Sequence, residues 1–154
     1  MRTERAAELI RAAREDVGLS QTGLAAAAGM QQPTISAYES GRKQPRPESL
    51  ARIMAAAQTR PSIPLAVYAD DILDEAVRFH LENIRVFGSA IRGRDTEHSD
   101  IDLLVALTPE ASLFDLGGFA HAVETITGFE VDILTDDLEG DQHFAHVLDQ
   151  AVPL

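Results

Sequence analysis

The 154-residue sequence contains no cysteine, which excludes disulfides and thiolate metal sites. No apolar run approaches the ~20 residues needed to span a bilayer. Met1–Ile10 carries Arg2, Glu4, Arg5 and Glu8, where a secretory leader would be apolar. Together these absences make the cytoplasm the simplest expectation and leave no membrane role. There is no internal repeat, and only Ala25–Ala28 is low in complexity, a run that suits a helix. Hydrophobic residues make up 45% of the chain, enough for a packed core, which excludes wholesale disorder. The length suits one ordinary domain or two very small ones.

The charge decides between these. Residues 1–60 hold nine Lys/Arg and six Asp/Glu, a balance of +3, whereas residues 61–154 hold four Arg and nineteen Asp/Glu, a balance of −15. Such asymmetry points to two units with different partners. The first can approach a phosphate backbone, and the second is repelled by one unless cations intervene. The boundary is expected at Arg60-Pro61-Ser62-Ile63-Pro64, where two prolines favour an extended connection. That reading gives domains at 1–60 and 67–154 with a linker at 61–66.

The first half reads as helices. Ala6, Leu9, Ile10, Ala13 and Val17 recur at helical spacing up to Gly18. Ser20 is a good N-cap for a second helix carrying Leu24 and Ala25, and Gly29 ends it. A third helix is expected over 32–39, with Ile35 and Tyr38 inward and Gly41 beyond it. Pro45 and Pro47 stiffen a connector to a last amphipathic helix lined by Leu50, Ile53, Met54 and Ala57. In the second half a helix is expected over 67–81, with Ile72, Leu73, Ala76, Val77 and Phe79 mostly on one side. Strands are expected at 84–87, 101–107 and 130–134. Helices should follow at 113–127 and 141–151, and the whole makes a small α/β layer fold.

The segment Ser20–Pro45 has a short helix, a turn through Gly29, which accepts positive φ, and a second short helix. With Ser20-Gln21, Leu24-Ala25, Gly29, Ile35-Ser36, Glu39, Gly41-Arg42 and Pro45 at these spacings, residues 5–58 resemble the Xre/Cro-type repressor family. The resemblance implies that the third helix enters a major groove. Gln32, Pro33, Thr34, Ser36 and Ala37 would then face the bases. Gln32 is the best reader, since its amide can bond adenine at N6 and N7. Gln21, Arg42 and Lys43 would hold phosphates. Two residues depart from the pattern. Gly23 stands where a strong helix former is usual, and Pro33 replaces a polar reader. A helical bundle used only for dimerisation is the bland alternative.

The second constellation is Gly88-Ser89, ten residues, then Asp100-Ile101-Asp102. A glycine closing a strand lets backbone approach a phosphate, and the helical segment from Ala90 to Gly93 offers free N–H groups. Asp100 and Asp102 alternate on a strand, so their carboxylates share a face. Like charges that close are costly without a cation, and hard oxygen ligands beside phosphates suit Mg²⁺. Asp132 follows about thirty residues later, where an adjacent strand could bring it to the same patch. With these residues, 67–154 resemble the polymerase-beta-like nucleotidyltransferases, specifically the minimal (MNT) group. The resemblance implies metal binding by Asp100 and Asp102, with Asp132 completing the triad and activating the acceptor hydroxyl. Gly88, Ser89 and Arg92 would hold the triphosphate of ATP. Ala90 stands where the family often has an arginine, which could remove a phosphate contact. Solvated Asp caps are the bland alternative.

His98 reads as an exposed loop residue, and His121, His143 and His146 as surface or partner-facing. The acidic run Asp136, Asp137, Glu139 and Asp141 reads as a solvated loop. MNT proteins of this size lack an acceptor-binding lobe, so a second protein should supply the acceptor. The family's usual partner is a HEPN-domain RNase toxin, modified by AMP on a tyrosine. The resemblance therefore implies an antitoxin that adenylylates such a toxin and represses its own operon by binding operator duplex DNA, with a dimer expected on two half-sites. A non-catalytic regulator whose nucleotidyltransferase fold only binds nucleotide or toxin is the alternative. A small-molecule nucleotidyltransferase is a weaker one.

Overall fold

A computed structural model describes residues 1–137 and 142–154. Glu139 and Asp141 of the acidic run, and the side chain of His143, lie outside the described residues. The first half is four helices, α1 (Ala6–Asp16), α2 (Gln21–Ala27), α3 (Gln32–Glu39) and α4 (Pro47–Ala56). Ser20 caps α2 as expected, its Oγ accepting the Gly23 N–H at 3.0 Å. Gly29 takes φ of 63° in the turn from α2 to α3, a conformation that side chains resist. Leu9, Ile10, Leu24, Ile35, Leu50 and Ile53 meet with no solvent exposure, so each helix buries the stripe its spacing predicts. Val17, expected to continue the helical spacing of Ala6, Leu9, Ile10 and Ala13, lies past the end of α1 and is exposed.

The expected extended linker is instead a helix, α5 (Ser62–Val67), packed against α1. The two prolines do not oppose it. Pro61 is its N-cap with φ −55° and ψ −34°, and Pro64 falls in the first turn, where an N–H would have no intrahelical partner. The helix expected over 67–81 is shorter: the chain breaks at Tyr68, and α6 runs from Ala69 to Arg78. His80, at φ 56°, then turns the chain into β1 (Leu81–Phe87). Val77 is exposed rather than inward, because the buried stripe of α6 is Ile72, Glu75 and Ala76.

A single 3-10 turn (Ala90–Arg92) follows β1, then β2 (Ile101–Leu107), α7 (Leu113–Thr127), β3 (Val131–Thr135), α8 (Gln142–Gln150) and β4 (Val152–Pro153). The sheet order is β3-β2-β1-β4. β1 pairs antiparallel with β2 and β4, and β2 pairs parallel with β3. The parallel pair requires a crossover, which α7 supplies. Ser112 and Asp115 form a capping box at the start of α7, and Gly128 ends it at φ 82°. Phe119, Val123 and Ile126 from α7 are fully buried with Ile101, Leu103 and Val105 of β2 and Ile72 of α6. The architecture is therefore an all-α unit followed by a mixed α/β unit.

The two halves share a polar and apolar seam. Tyr68, with no solvent exposure, donates its hydroxyl hydrogen to the Arg2 carbonyl at 2.9 Å. Burial first, then the charges of Glu4 and Asp71, push that phenol up to about 12. The Arg2 N–H bonds the Ile126 carbonyl at 3.1 Å, and its guanidinium meets Glu75 at 2.8 Å. Among the described residues no helix is long and apolar enough to cross a membrane.

Candidate functional site

The sheet brings two of the three expected aspartates side by side. Asp102 is the direct register partner of Asp132 across the parallel β2–β3 pair, and of Phe87 across β1–β2. Asp100 precedes β2 by one residue and shares the parity of Asp102. Gly88 follows β1 at φ 76°, and the Asp102 carboxylate lies against its α-carbon. A Cβ on Gly88 would overlap Oδ2 of Asp102, so this glycine is what lets the carboxylate sit at the strand end.

Asp102 is half-buried, whereas Asp100 and Asp132 are exposed. Burial first, then the charges of Asp132 and Asp100, hold the Asp102 carboxyl above its ordinary range. A local excess of negative charge of this kind favours a bound cation. Among the described residues no three His, Cys, Asp or Glu side chains stand close enough to hold a metal ion by themselves. The donor set nevertheless fits Mg²⁺, which is commonly held by one or two carboxylates and completed by substrate phosphates and water.

A hollow of about 240 Å³ lies over Asp102, lined by Phe87, Gly88, Arg92, Asp102, His146, Val147 and Gln150. Arg92 enters it from the 3-10 turn and donates from Nη2 to Oε1 of Gln150 on α8. The wall formed by α8 has no signature in the sequence. His146, expected to be surface or partner-facing, borders this hollow, and Val147 and Gln150 stand beside it with no motif to mark them. Only the spacing 146, 147 and 150, one face of a helix, hints at a shared surface. Ser89 opens the 3-10 turn without a side-chain cap, and its carbonyl accepts the N–H groups of Arg92 and Arg94, each at 3.1 Å. Ala90 does not border the hollow. It faces an apolar recess with Val86, Ile91, Val152 and Pro153.

The larger cavity, about 670 Å³, is at the seam between the halves, lined by Met54, Ala55, Gln58, Glu97, His98 and Phe129 among others. It contains none of the three aspartates. His98 is exposed at its rim, as its loop position suggested, and His121 is exposed on α7. Asp136 is not merely solvated: it accepts from Arg85 at 2.7 Å.

In the helical half, the expected groove-facing residues converge on the start of α3. Arg14 pairs with Glu39, which is buried, at 2.6 Å. The Gln21 Nε2 donates to Glu39 at 3.0 Å, and the Gln32 Nε2 donates to the Gln21 Oε1 at 2.9 Å. A carboxylate can only accept, so the chain of bonds orients both amides in turn. Gln21 thus serves a network rather than standing free. Pro33 occupies the first turn of α3, and Thr34, Ser36 and Ala37 are half-buried along it. Arg42 and Lys43 are exposed just beyond, Arg42 donating to Ser40 Oγ at 3.0 Å and Lys43 lying 5.9 Å from the Tyr38 ring centre.

Comparison with known proteins agrees with both halves. A family profile described as helix-turn-helix matches residues 10–63, and one described as nucleotidyltransferase domain matches residues 70–150. A protein of Methanocaldococcus jannaschii that bears the provisional name protein adenylyltransferase is 36% identical over 64 residues, which are 42% of this chain and 69% of that protein. A solved structure, provisionally described as a minimal nucleotidyltransferase, superposes with a TM-score of 0.55 at 33% identity, covering 60% of this chain and 95% of its own.

Proposed function

This chain belongs to the nucleotidyltransferase domain family and carries a helix-turn-helix domain ahead of it, and from that premise we propose that it transfers AMP from ATP to a hydroxyl of a partner protein. The observation that carries the reading is the Asp102 carboxylate, seated against Gly88 and paired in register with Asp132. Asp100 and Asp102 would hold Mg²⁺, with Asp132 beside them. Bound there, the ion neutralises phosphate charge and stabilises the attacking and leaving oxygens.

The chain's own residues do the rest. Ser89, the N–H groups around it and Arg92 grip the triphosphate. Asp132 accepts the proton of the acceptor hydroxyl. The hydroxyl oxygen bonds the α-phosphorus as the α–β bridging bond breaks, and pyrophosphate leaves. The residues around the hollow are assigned to the nucleotide. The acceptor is then taken to come on the surface of a second protein, as the MNT resemblance implies. The charge of −15 in residues 61–154 favours a basic polypeptide over a nucleic acid as that partner.

The resemblance to MNT proteins supports a HEPN-type RNase toxin as the acceptor, modified on tyrosine and thereby neutralised. The helix-turn-helix domain, as a dimer, would repress the operon encoding the pair, with Gln32 reading bases and Arg42 and Lys43 on phosphates. The decisive experiment mixes the protein, Mg²⁺, ATP labelled at the α-phosphate and the partner, with Asp100→Asn and Asp102→Asn as controls. Label should pass to the partner with wild type only. Full transfer by either variant would sink the assigned metal role. A second reading draws on Ala90, which stands where the family often has an arginine and faces an apolar recess: a regulator that binds nucleotide or toxin without turnover. It predicts a stable complex, no label transfer, and operator binding that changes with MgATP.

A further inference from the structure

Between Gly88-Ser89 and Asp100 runs a loop whose anchor is Asp95. The side chain of Asp95 has no solvent exposure, and its two oxygens have different partners. Oδ2 accepts the backbone N–H of Ser62 at 2.8 Å. Ser62 is the first residue of α5, so Asp95 caps that helix from a distant part of the chain. Oδ1 accepts from Nη1 of Arg60 at 3.2 Å.

Arg60 belongs to the helix-turn-helix half, and its other edge is also occupied. Nη2 and Nε meet the two oxygens of Asp16, at the end of α1, at 2.6 and 2.9 Å. One guanidinium thus ties α1 to the loop. Gln58 adds a second tie, donating to Glu97 at 3.3 Å. From there the loop is closed on itself, with the Thr96 N–H bonding Ser99 Oγ and the Ser99 N–H bonding the Thr96 carbonyl, each at 3.0 Å. Asp100 is the next residue. A short, hydrogen-bonded path therefore runs from the helix-turn-helix half to a carboxylate of the candidate site.

We propose that Asp95 and Arg60 are positioning residues, through which the helix-turn-helix half holds the loop that presents Asp100. The proposal rests on the transferase reading only for what Asp100 does. The arrangement is electrostatically exacting, because removing the partner of a fully buried carboxylate leaves an uncompensated charge, a cost that Asp95 would escape by moving toward water. The loop would move with it. Geometry errors of an ångström at such a site are costly to catalysis. Because binding free energies are reciprocal, a nucleotide that needs the loop in place also tightens the docking of the two halves.

The test uses the full chain with Asp95→Asn, Arg60→Ala, Arg60→Lys and Gln58→Ala. Arg2→Ala is the control, since it breaks a seam contact to α6 that does not touch the loop. Three quantities are measured: calorimetric binding of MgATP, KM and kcat for label transfer, and amide hydrogen exchange over residues 94–101. Asp95→Asn and Arg60→Ala should each weaken MgATP binding about 10-fold and speed exchange in the loop at least 10-fold, and the double variant should be no worse than either alone. Arg60→Lys and Gln58→Ala should fall between, so the result survives if one variant fails to fold. Arg2→Ala should lower the melting temperature and leave MgATP binding unchanged. Folded Asp95→Asn and Arg60→Ala proteins with wild-type loop exchange and MgATP affinity would overturn the proposal. If wild type transfers no label, the transferase reading fails, and loop exchange alone still decides whether Asp95 and Arg60 hold the loop.

Discussion

The carboxylate of Asp102 occupies the space where a side chain on Gly88 would begin, with Cγ only 2.8 Å from the ideal Cβ position. Gly88 also holds φ at 76°. Gly88→Ala therefore meets two obstacles, a left-handed backbone that costs about 1–2 kcal/mol for a side-chain-bearing residue and a displaced carboxylate. We expect a modest fall in melting temperature and a loss of about 100-fold or more in kcat/KM for label transfer. The second effect should exceed the first by far if, as proposed, the displaced group is the one that receives the ion. A variant that melts early yet transfers normally would show that the seat of Asp102 is unimportant.

Asp102 also sets a pH signature. Its folded carboxyl titrates above the ordinary aspartate range, owing to burial and then to Asp132 and Asp100. The fold therefore prefers the protonated form. The associated stability is present below the unfolded-state pKa, about 3.9, and is lost as pH rises through the folded value. At neutral pH the ionised group burdens the metal-free protein. Asp102→Asn should thus raise the melting temperature at pH 7 in chelator, by about 2–4 °C per kcal/mol relieved. The advantage should shrink toward pH 4 and vanish below it. Adding MgATP should stabilise wild type and not the variant. Thermal scans across pH, with and without the ligand, separate these outcomes.

Much of this is legible in the sequence alone. The expected bounds of α3, β2 and α7 match, because Gly41, Asp100 and Gly128 punctuate strong patterns. The pairing of Asp100 with Asp102 follows from strand alternation alone. That Asp132 lands opposite Asp102 needed the β2–β3 register, which no local pattern encodes. β4 escaped because two residues, one of them proline, carry no alternation; an edge position tolerates that proline. The helix at 62–67 was hidden because its prolines read as linker, although both sit where a helix start accepts them. Arg60 and Asp95 are 35 residues apart, and their partnership is purely tertiary.

The Arg14–Glu39 pair anchors the end of α3 and, through Gln21, reaches Gln32 at its start. Burial alone would raise the Glu39 carboxyl, but the hydrogen bonds from Arg14 and Gln21 and the charges of Arg14 and Arg11 outweigh it and bring the group below its ordinary range. The stability this confers is full above the unfolded-state value, about 4.3, and is lost as pH falls through the folded one. Arg14→Ala strands a buried carboxylate and should cost about 3 kcal/mol. Chemical denaturation at pH 7 should show that loss, with the wild-type advantage fading in acid. Operator binding should fall with it, since Gln21 and Gln32 lose their orientation.

Gln32 and Lys43 should fail in different ways on DNA. The Gln32 amide has one N–H committed to Gln21, which leaves its oxygen and a second N–H for one base. That pair matches N6 and N7 of adenine. Gln32→Ala should then cost about 1–3 kcal/mol against the preferred operator and relax selectivity at a single position. Lys43 is exposed beside α3 and carries a charge without a fixed partner geometry. Lys43→Ala should weaken every sequence alike and reduce the salt dependence by about one counterion. Binding titrations on an operator, its single-base variants and unrelated duplex, at several salt concentrations, resolve the two patterns. If Gln32→Ala weakened all sequences equally, the amide would be positioning the domain on the backbone, and base selection would have to come from Thr34, Ser36 or Ala37 further along the helix.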